Sequence, residues 1–345
     1  LLLSDTFSEK FDIDMKVILT GGSGLIGETL SHLLEDNGHV VLHLRRWYSN
    51  KQSVKKDLTS KKNIFWSNPE ILEGADAVIH LAGANVAKPW TESYKREILR
   101  SRTEGTSALI DACVACNQPP KQIISASGIG YYPESLSIEL NEDHTMGDAF
   151  LAQVCVAWEN SLQRPFPLPF QVSIVRTGLV LSNKSKIVQA AQSQFLLSGM
   201  VGSVGSRENQ WSWIHIHDLC NLYIALAEQK LLSGIYNGVS PNPCTQGEFG
   251  KAYEMHAILQ LPWYLSGLKL QWWVAKGLNR LIRTLNIQQR PIVPAWVMRL
   301  AWGERAAIAL TNQKVSTNKT LDQGFCYQYP TIEKALQHLQ AHPKV

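Results

Sequence analysis

The sequence predicts an α/β fold, a doubly wound parallel sheet followed by a smaller C-terminal α/β lobe. Three observations predict it. A short apolar strand runs into glycines at three-residue spacing and then into a helix, KVILTGGSGLIG from Lys16 to Gly27. Further apolar strands alternate with helical runs at lengths that suit parallel crossovers. Finally, 345 residues with 45% hydrophobic and 18% charged content are enough for a full core and two lobes.

The first strand is Lys16–Thr20, and the helical run LSHLLEDNG follows the glycines. Gly21 suits a tight turn, Gly24 a close approach of backbone to a pyrophosphate, and Gly27 close packing of helix on strand. The helix N-terminus then offers its amides to an anion. Residues Gly21, Gly22, Ser23, Gly24, Leu25, Ile26 and Gly27 are therefore candidates for binding a dinucleotide in a Rossmann-type fold. The plainer alternative is a structural glycine turn.

HVVLHL, His39 to Leu44, reads as the second strand and ends in Arg45 and Arg46. An NAD site places an acid about 20 residues past the glycines to hold the ribose hydroxyls, whereas two guanidiniums suit a 2′-phosphate through bidentate bonds. This pair favours NADP (NADPH), against the alternative of a solvated pair at a strand end. ADAVIHLAG, Ala75 to Gly83, is a buried strand whose small last residues let a cofactor lie against the backbone. A helical run follows from Trp90 to Arg102, and Gln122–Ser125 and Val172–Arg176 supply two more strands. The site is expected over the strand C-termini, near Gly21, Arg46, Leu81, Ser127 and Gly178.

Composition excludes several classes. The formal charge of +4 is local, because the segment 259–290 holds Lys269, Lys276, Arg280, Arg283 and Arg290 with no acid; without it the charge is −1. A nucleic-acid partner is not expected. No apolar run reaches the 18 residues of a membrane span and no secretion signal is legible, so a cytoplasmic protein is expected. Six cysteines make no disulfide framework, and Cys113 and Cys116 read as small residues on a helix.

TGGSGLIG, HLAG and SASGIGYY together resemble the extended short-chain dehydrogenase/reductase superfamily. KPWTESYKREILRSR, SGIGYY, WSWIHIHD, GIYNGVSP, GERAAIALTNQKV and GFCYQYPTIEKAL narrow the resemblance to one atypical branch. Its members are labelled sugar-nucleotide epimerase or cell-division inhibitor and carry a C-terminal domain of unknown function. The resemblance covers Met15 to Leu339 apart from one insertion. It implies that Gly21 to Gly27 hold the pyrophosphate and Arg46 the 2′-phosphate, and that Leu81 and Ala82 line the ribose, with Gly83 and Ser125 beside them. It further implies that Glu97 and Arg102 reach the cofactor, that Val180 sits near the nicotinamide, and that Ser127 stands at the catalytic serine position. Tyr131 corresponds to a tyrosine that lines the substrate pocket, and a catalytic role for it stays open beside that of a pocket wall.

The departure lies in the Tyr-x-x-x-Lys pair, in which a lysine lowers the pKa of a tyrosine so that the phenolate exchanges a proton as hydride moves. Its positions become Leu151 and Cys155, and Phe150 to Leu162 contains neither tyrosine nor lysine. His215 and His217 alternate in WIHIHD and are expected on one strand face. With no third ligand at suitable spacing, no metal site is expected. Asp218 is expected to cap the helix LCNLYIALAEQ.

These readings divide the chain into an N-terminal extension (1–14), a dinucleotide-binding domain (15–240, with 183–212 contributing to the substrate lobe) and a C-terminal substrate lobe (241–345). The lobe includes a basic amphipathic insertion at about 259–287. Its apolar stripe of Leu270, Trp273, Val274, Leu278, Leu281, Ile282 and Leu285 leaves Lys276, Arg280 and Arg283 on another face. Packing on its own domain, a lid or a homodimer contact is favoured over peripheral contact with an anionic membrane. Two functions follow: an NADP-dependent oxidoreductase or epimerase acting on an unidentified small carbonyl or sugar-type substrate, or a non-catalytic NADP-binding sensor or regulator.

Overall fold

The computed structural model describes residues 15–48, 64–66, 68–134, 138–198, 200–259 and 291–342. The N-terminal extension and nearly all of the amphipathic insertion lie outside the described residues. Six parallel strands form the main sheet: β1 (Lys16–Thr20), β2 (Val40–Leu44), β3 (Ala77–His80), β4 (Gln122–Gly128), β5 (Gln171–Thr177) and β6 (Ile235–Gly238). Their spatial order is β6-β5-β4-β3-β1-β2, every neighbour parallel. The order reverses at β1, so the connections leaving β1 and β3 part to opposite sides and open a crevice between them.

Both faces of β1, β3 and β4 are covered, which is why these strands read as nearly continuous apolar runs, whereas the edge strand β2 leaves Val40 and Leu42 exposed. Period-two alternation still assigns each side chain to a layer. Val17, Leu19, Ala77, Ile79 and Ile124 join one core with Leu30, Leu34, Leu219 and Tyr223 of the helices Leu25–Asp36 and Ile216–Ala227. Ile18, Val78 and Ile123 join a second core with Leu109, Ile110 and Cys113 of the helix Glu92–Val114. Burying each such aliphatic side chain contributes about 1.5–3 kcal/mol. A third cluster joins Trp211 and Trp213 to Phe249 and Tyr253 of the helix Gln246–Leu259 and to Leu336 and Leu339 of the helix Ile332–Ala341. No helix among the described residues is long and apolar enough to cross a membrane.

Three local expectations are corrected. The helix expected from Trp90 begins at Glu92, because the Thr91 hydroxyl accepts the Tyr94 amide and caps it, and it continues to Val114. His215 and His217 do not share a strand face, since the strand Trp213–His215 ends where the helix Ile216–Ala227 begins. The cap of that helix is His215, whose Nδ1 accepts the His217 amide at 3.1 Å. Asp218, displaced from that role, lies buried in the first turn and accepts the amides of Gln328 at 2.8 Å and Tyr329 at 2.9 Å.

Candidate dinucleotide site

A cleft of about 760 Å³ opens at the crevice, lined by Gly21, Gly22, Ser23 and Gly24, by His43, Leu44 and Arg45, and by Leu81, Ala82 and Gly83, with Trp66 closing one wall. The glycines are there for steric reasons. Gly21 has φ +76°, and a Cβ on it would stand 2.8 Å from the Leu81 carbonyl carbon and 2.9 Å from the Ala82 amide nitrogen. A Cβ on Gly27 would come within 2.4 Å of the Gly21 oxygen, so this glycine lets the helix sit on the turn. Gly24 is the N-cap of the helix Leu25–Asp36 and brings no side-chain cap, which leaves the first-turn amides of Leu25, Ile26 and Gly27 as an anion cradle. The donor set and the space fit a dinucleotide pyrophosphate.

The strand ends are locked beneath this cradle. The Thr20 hydroxyl and His80 Nδ1 are 2.7 Å apart, and His80 Nε2 lies 3.0 Å from the Thr106 hydroxyl. The Ala82 amide donates to Thr20 Oγ1 at 3.3 Å. His80, wholly buried between Trp66 and Trp158, thus ties β1, β3 and the helix Glu92–Val114 together. The sequence reading passed over it within the HLAG motif.

The remaining cofactor candidates divide. Arg102 sits over Gly83, donates to the Ala84 carbonyl at 3.1 Å and stacks 4.8 Å from the Trp158 ring centre, at the edge of the cleft. Glu97 lies on the same helix, half-buried beside Tyr94. Ser125 is buried in β4 opposite His80, and Val180 pairs with Ile214 and packs on the core. Arg46 opens a short strand, Arg46–Tyr48, and its side chain lies outside the described residues. His43 and Trp66 line the cleft although neither was singled out; His43 Nδ1 would be only 2.1 Å from a Cβ on Gly22.

Beyond the cleft the serine motif enters a buried polar network. Ser127 Oγ donates to Glu159 Oε1 at 2.7 Å. Arg176 clamps both oxygens of Glu159, Nε to Oε1 at 2.9 Å and Nη2 to Oε2 at 2.8 Å. Its Nη1 donates to the Tyr132 hydroxyl at 2.9 Å, which donates in turn to Asn237 Oδ1 at 2.8 Å. Burial opposes the Arg176 charge, but Glu159 outweighs it and raises the guanidinium pKa further. Burial pushes Tyr132 up to about 12 even beside that charge. Tyr131 lies flat under Arg176, whose Cζ is 3.5 Å from its ring centre, a cation–π contact.

At the two positions of the missing relay, Leu151 packs against Gly130 and Cys155 is buried near Gly128. Burial pushes the Cys155 thiol up to about 11, which keeps its proton on near neutral pH. Glu159, one helical turn past Cys155, is the residue that engages the serine. The expected lack of a third ligand near His215 and His217 is corrected as well. His338 arrives from the last helix, and its Nδ1 is 3.1 Å from His215 Nε2.

A parallel sheet whose switch point carries a glycine-lined cleft defines a Rossmann-type, NAD(P)-binding protein of the short-chain dehydrogenase/reductase kind. The chain belongs to the NAD dependent epimerase/dehydratase family, whose sequence model matches residues 17–237, and residues 293–339 match a domain of unknown function, DUF1731. It is 31% identical to epimerase family protein SDR39U1 of Mus musculus over 332 residues, 95% of this chain and 100% of that protein. It is 29% identical to epimerase family protein SAR0825 of Staphylococcus aureus over 325 residues, 93% of this chain and 98% of that one. The crystal structure of human epimerase family protein SDR39U1 (isoform 2) with NADPH superimposes with a TM-score of 0.73 at 27% identity, covering 95% of this chain and 100% of the other.

Proposed function

We propose that the protein binds NADP(H) in the glycine-lined cleft and acts as an oxidoreductase or epimerase-like protein on a small carbonyl or sugar-type substrate. The observation that carries the cofactor reading is the cleft lining at the switch point. Gly21 to Gly24 and the first-turn amides cradle the pyrophosphate, Arg45 stands at the end of β2, and no acid lines the cleft among the described residues. A 2′-phosphate meets a guanidinium there instead of a carboxylate. The NADPH in the human relative's structure supports the same choice. When bound, the nicotinamide supplies or accepts hydride; the chain contributes the cradle, the guanidiniums and the pocket wall at Tyr131.

A second reading, a sensor or regulator that binds NADP(H) without turnover, is favoured by one observation. The Ser127 hydroxyl is committed to Glu159, and Leu151 and Cys155 replace the phenol and ammonium of a proton relay. Fluorescence titration tests the cofactor: NADPH is expected to bind at least about tenfold tighter than NADH, a gap of about 1.4 kcal/mol, and Arg46→Ala to erase the difference. Equal affinities in the unaltered chain overturn the assignment. Nicotinamide absorbance with a panel of carbonyls and sugar nucleotides separates the two readings, since turnover that falls in Tyr131→Phe supports the enzyme and binding without any turnover supports the sensor.

A further inference from the structure

Three imidazoles meet where the last helix lies against the start of the helix Ile216–Ala227. His215 ends a strand, His217 stands in the first turn after it, and His338 comes from the helix Ile332–Ala341. Their ring centres form a nearly equilateral triangle with sides of 5.2, 4.9 and 5.1 Å. The rings turn edges toward one another, with interplanar angles of 82°, 74° and 62°. One donor nitrogen from each lies within 4.8 Å of the others, and His215 is buried while the other two are half-buried. Three imidazoles on one tetrahedral zinc ion, each nitrogen about 2.0–2.1 Å from the metal, hold their ring centres about 5 Å apart. The triangle already has that size.

We propose that His215, His217 and His338 form a transition-metal site, with zinc as its ion, that ties the last helix to the edge of the sheet lobe. Three neutral nitrogen donors suit borderline ions, and imidazole-rich sites take zinc, nickel or copper in preference to calcium or magnesium. Asp218 does not compete, because both of its oxygens accept backbone amides.

The hydrogen bonding identifies what the ion would displace. The His217 amide donates to His215 Nδ1, so the proton of neutral His215 sits on Nε2 and points at His338 Nδ1. Ligation through Nε2 moves that proton to Nδ1 and gives up the amide bond. Two neutral hydrogen bonds, this one and the bond between His215 Nε2 and His338 Nδ1, are lost for three metal–nitrogen bonds formed. His342 stacks on His338 at 4.4 Å with its Nδ1 3.0 Å from the His338 carbonyl oxygen, and it is not one of the three converging donors.

The test uses the full chain without a histidine tag, stripped with a chelator and titrated calorimetrically with Zn²⁺. One equivalent is expected to bind. His338→Gln and His217→Gln are expected to weaken binding at least about a hundredfold, and His342→Gln to leave it within about threefold. Circular dichroism checks that each variant is folded. Co²⁺ added to the unaltered chain gives a reading independent of any variant, the visible bands of a tetrahedral nitrogen site. Failure of the unaltered chain to bind one equivalent, lack of those bands, or undiminished binding in folded His338→Gln overturns the proposal.

Discussion

Ser127 donates its hydroxyl hydrogen to Glu159 across 2.7 Å, and Glu159 is held by both arms of Arg176. A side chain that in a dehydrogenase would orient a substrate oxygen is here one end of a buried ion-pair network. Because Glu159 and Arg176 are both nearly excluded from water, each depends on the other. Replacing Glu159→Gln keeps the shape and removes the charge, leaving a guanidinium buried beside a neutral amide. Urea unfolding is expected to show a loss of about 3–5 kcal/mol. A loss below about 1 kcal/mol would mean that Arg176 finds equal compensation elsewhere.

The glycines make a contrasting pair. Gly21→Ala places a methyl against the Leu81 and Ala82 backbone at a positive φ, whereas Gly105→Ala, inside the helix Glu92–Val114, meets nothing within 4 Å. The first substitution is expected to destabilise by about 1–3 kcal/mol and to abolish measurable NADPH binding. The second should stabilise by about 0.5–1 kcal/mol through helix propensity. Thermal unfolding and NADPH titration of both variants check the contrast, and equal effects would contradict it.

Asp218 is the tie between the helix Ile216–Ala227 and the chain at Gln328–Tyr329. Asp218→Ala removes both acceptors and leaves two amides to find water. Hydrogen exchange is expected to accelerate at those amides by at least about tenfold, with little change in β1 and β3, because the opening is local. Unchanged exchange at Gln328 and Tyr329 would show that other contacts hold that segment.

The histidine cluster sets an acid limit on stability in the presence of a chelator. Burial, with the His217 and His338 rings, pushes His215 down to about 2, and burial with His217 and His342 pushes His338 down to about 4, both from an ordinary 6.5. The folded values lie below the unfolded one, so the unfolded chain takes up these protons first. Stability from these rings is therefore complete above pH 6.5, is lost progressively as the pH falls below it, and is gone below about 4 for His338 and about 2 for His215. Each such proton contributes a slope of about 1.4 kcal/mol per pH unit, less for the more exposed His338. Urea midpoints between pH 7 and pH 4 should fall, and His215→Gln should remove about one proton from the slope. Identical slopes would rule out this origin.

Much of the cofactor end was legible because its causes are local. The strand Lys16–Thr20 was read with the bounds it has, and eight of the proposed cofactor residues, from Gly21 to Gly24, Arg45 and Leu81 to Gly83, line the cleft. Steric demands of a tight turn act over a few residues, so glycine spacing records them directly. His80 and Trp66 escaped notice because their roles depend on partners in other elements: His80 on Thr20 and Thr106, Trp66 on the Gly105 carbonyl. Asp218 was misread for the same reason. A local cap is the common use of an aspartate before a helical run, and only packing shows that His215 takes that place first.

By itself the sequence determined the strand, glycine turn and helix that meet at the cleft, the alternation that builds a parallel sheet, and the loss of the tyrosine–lysine pair. These follow from backbone sterics, side-chain periodicity and residue identity, all of which operate within a short window of chain. Only the tertiary structure decided that Ser127 spends its hydroxyl on Glu159, 32 residues away, and that His338 meets His215 across 123 residues. Such pairings depend on how helices settle on the two faces of the sheet. No spacing along the chain encodes that distance.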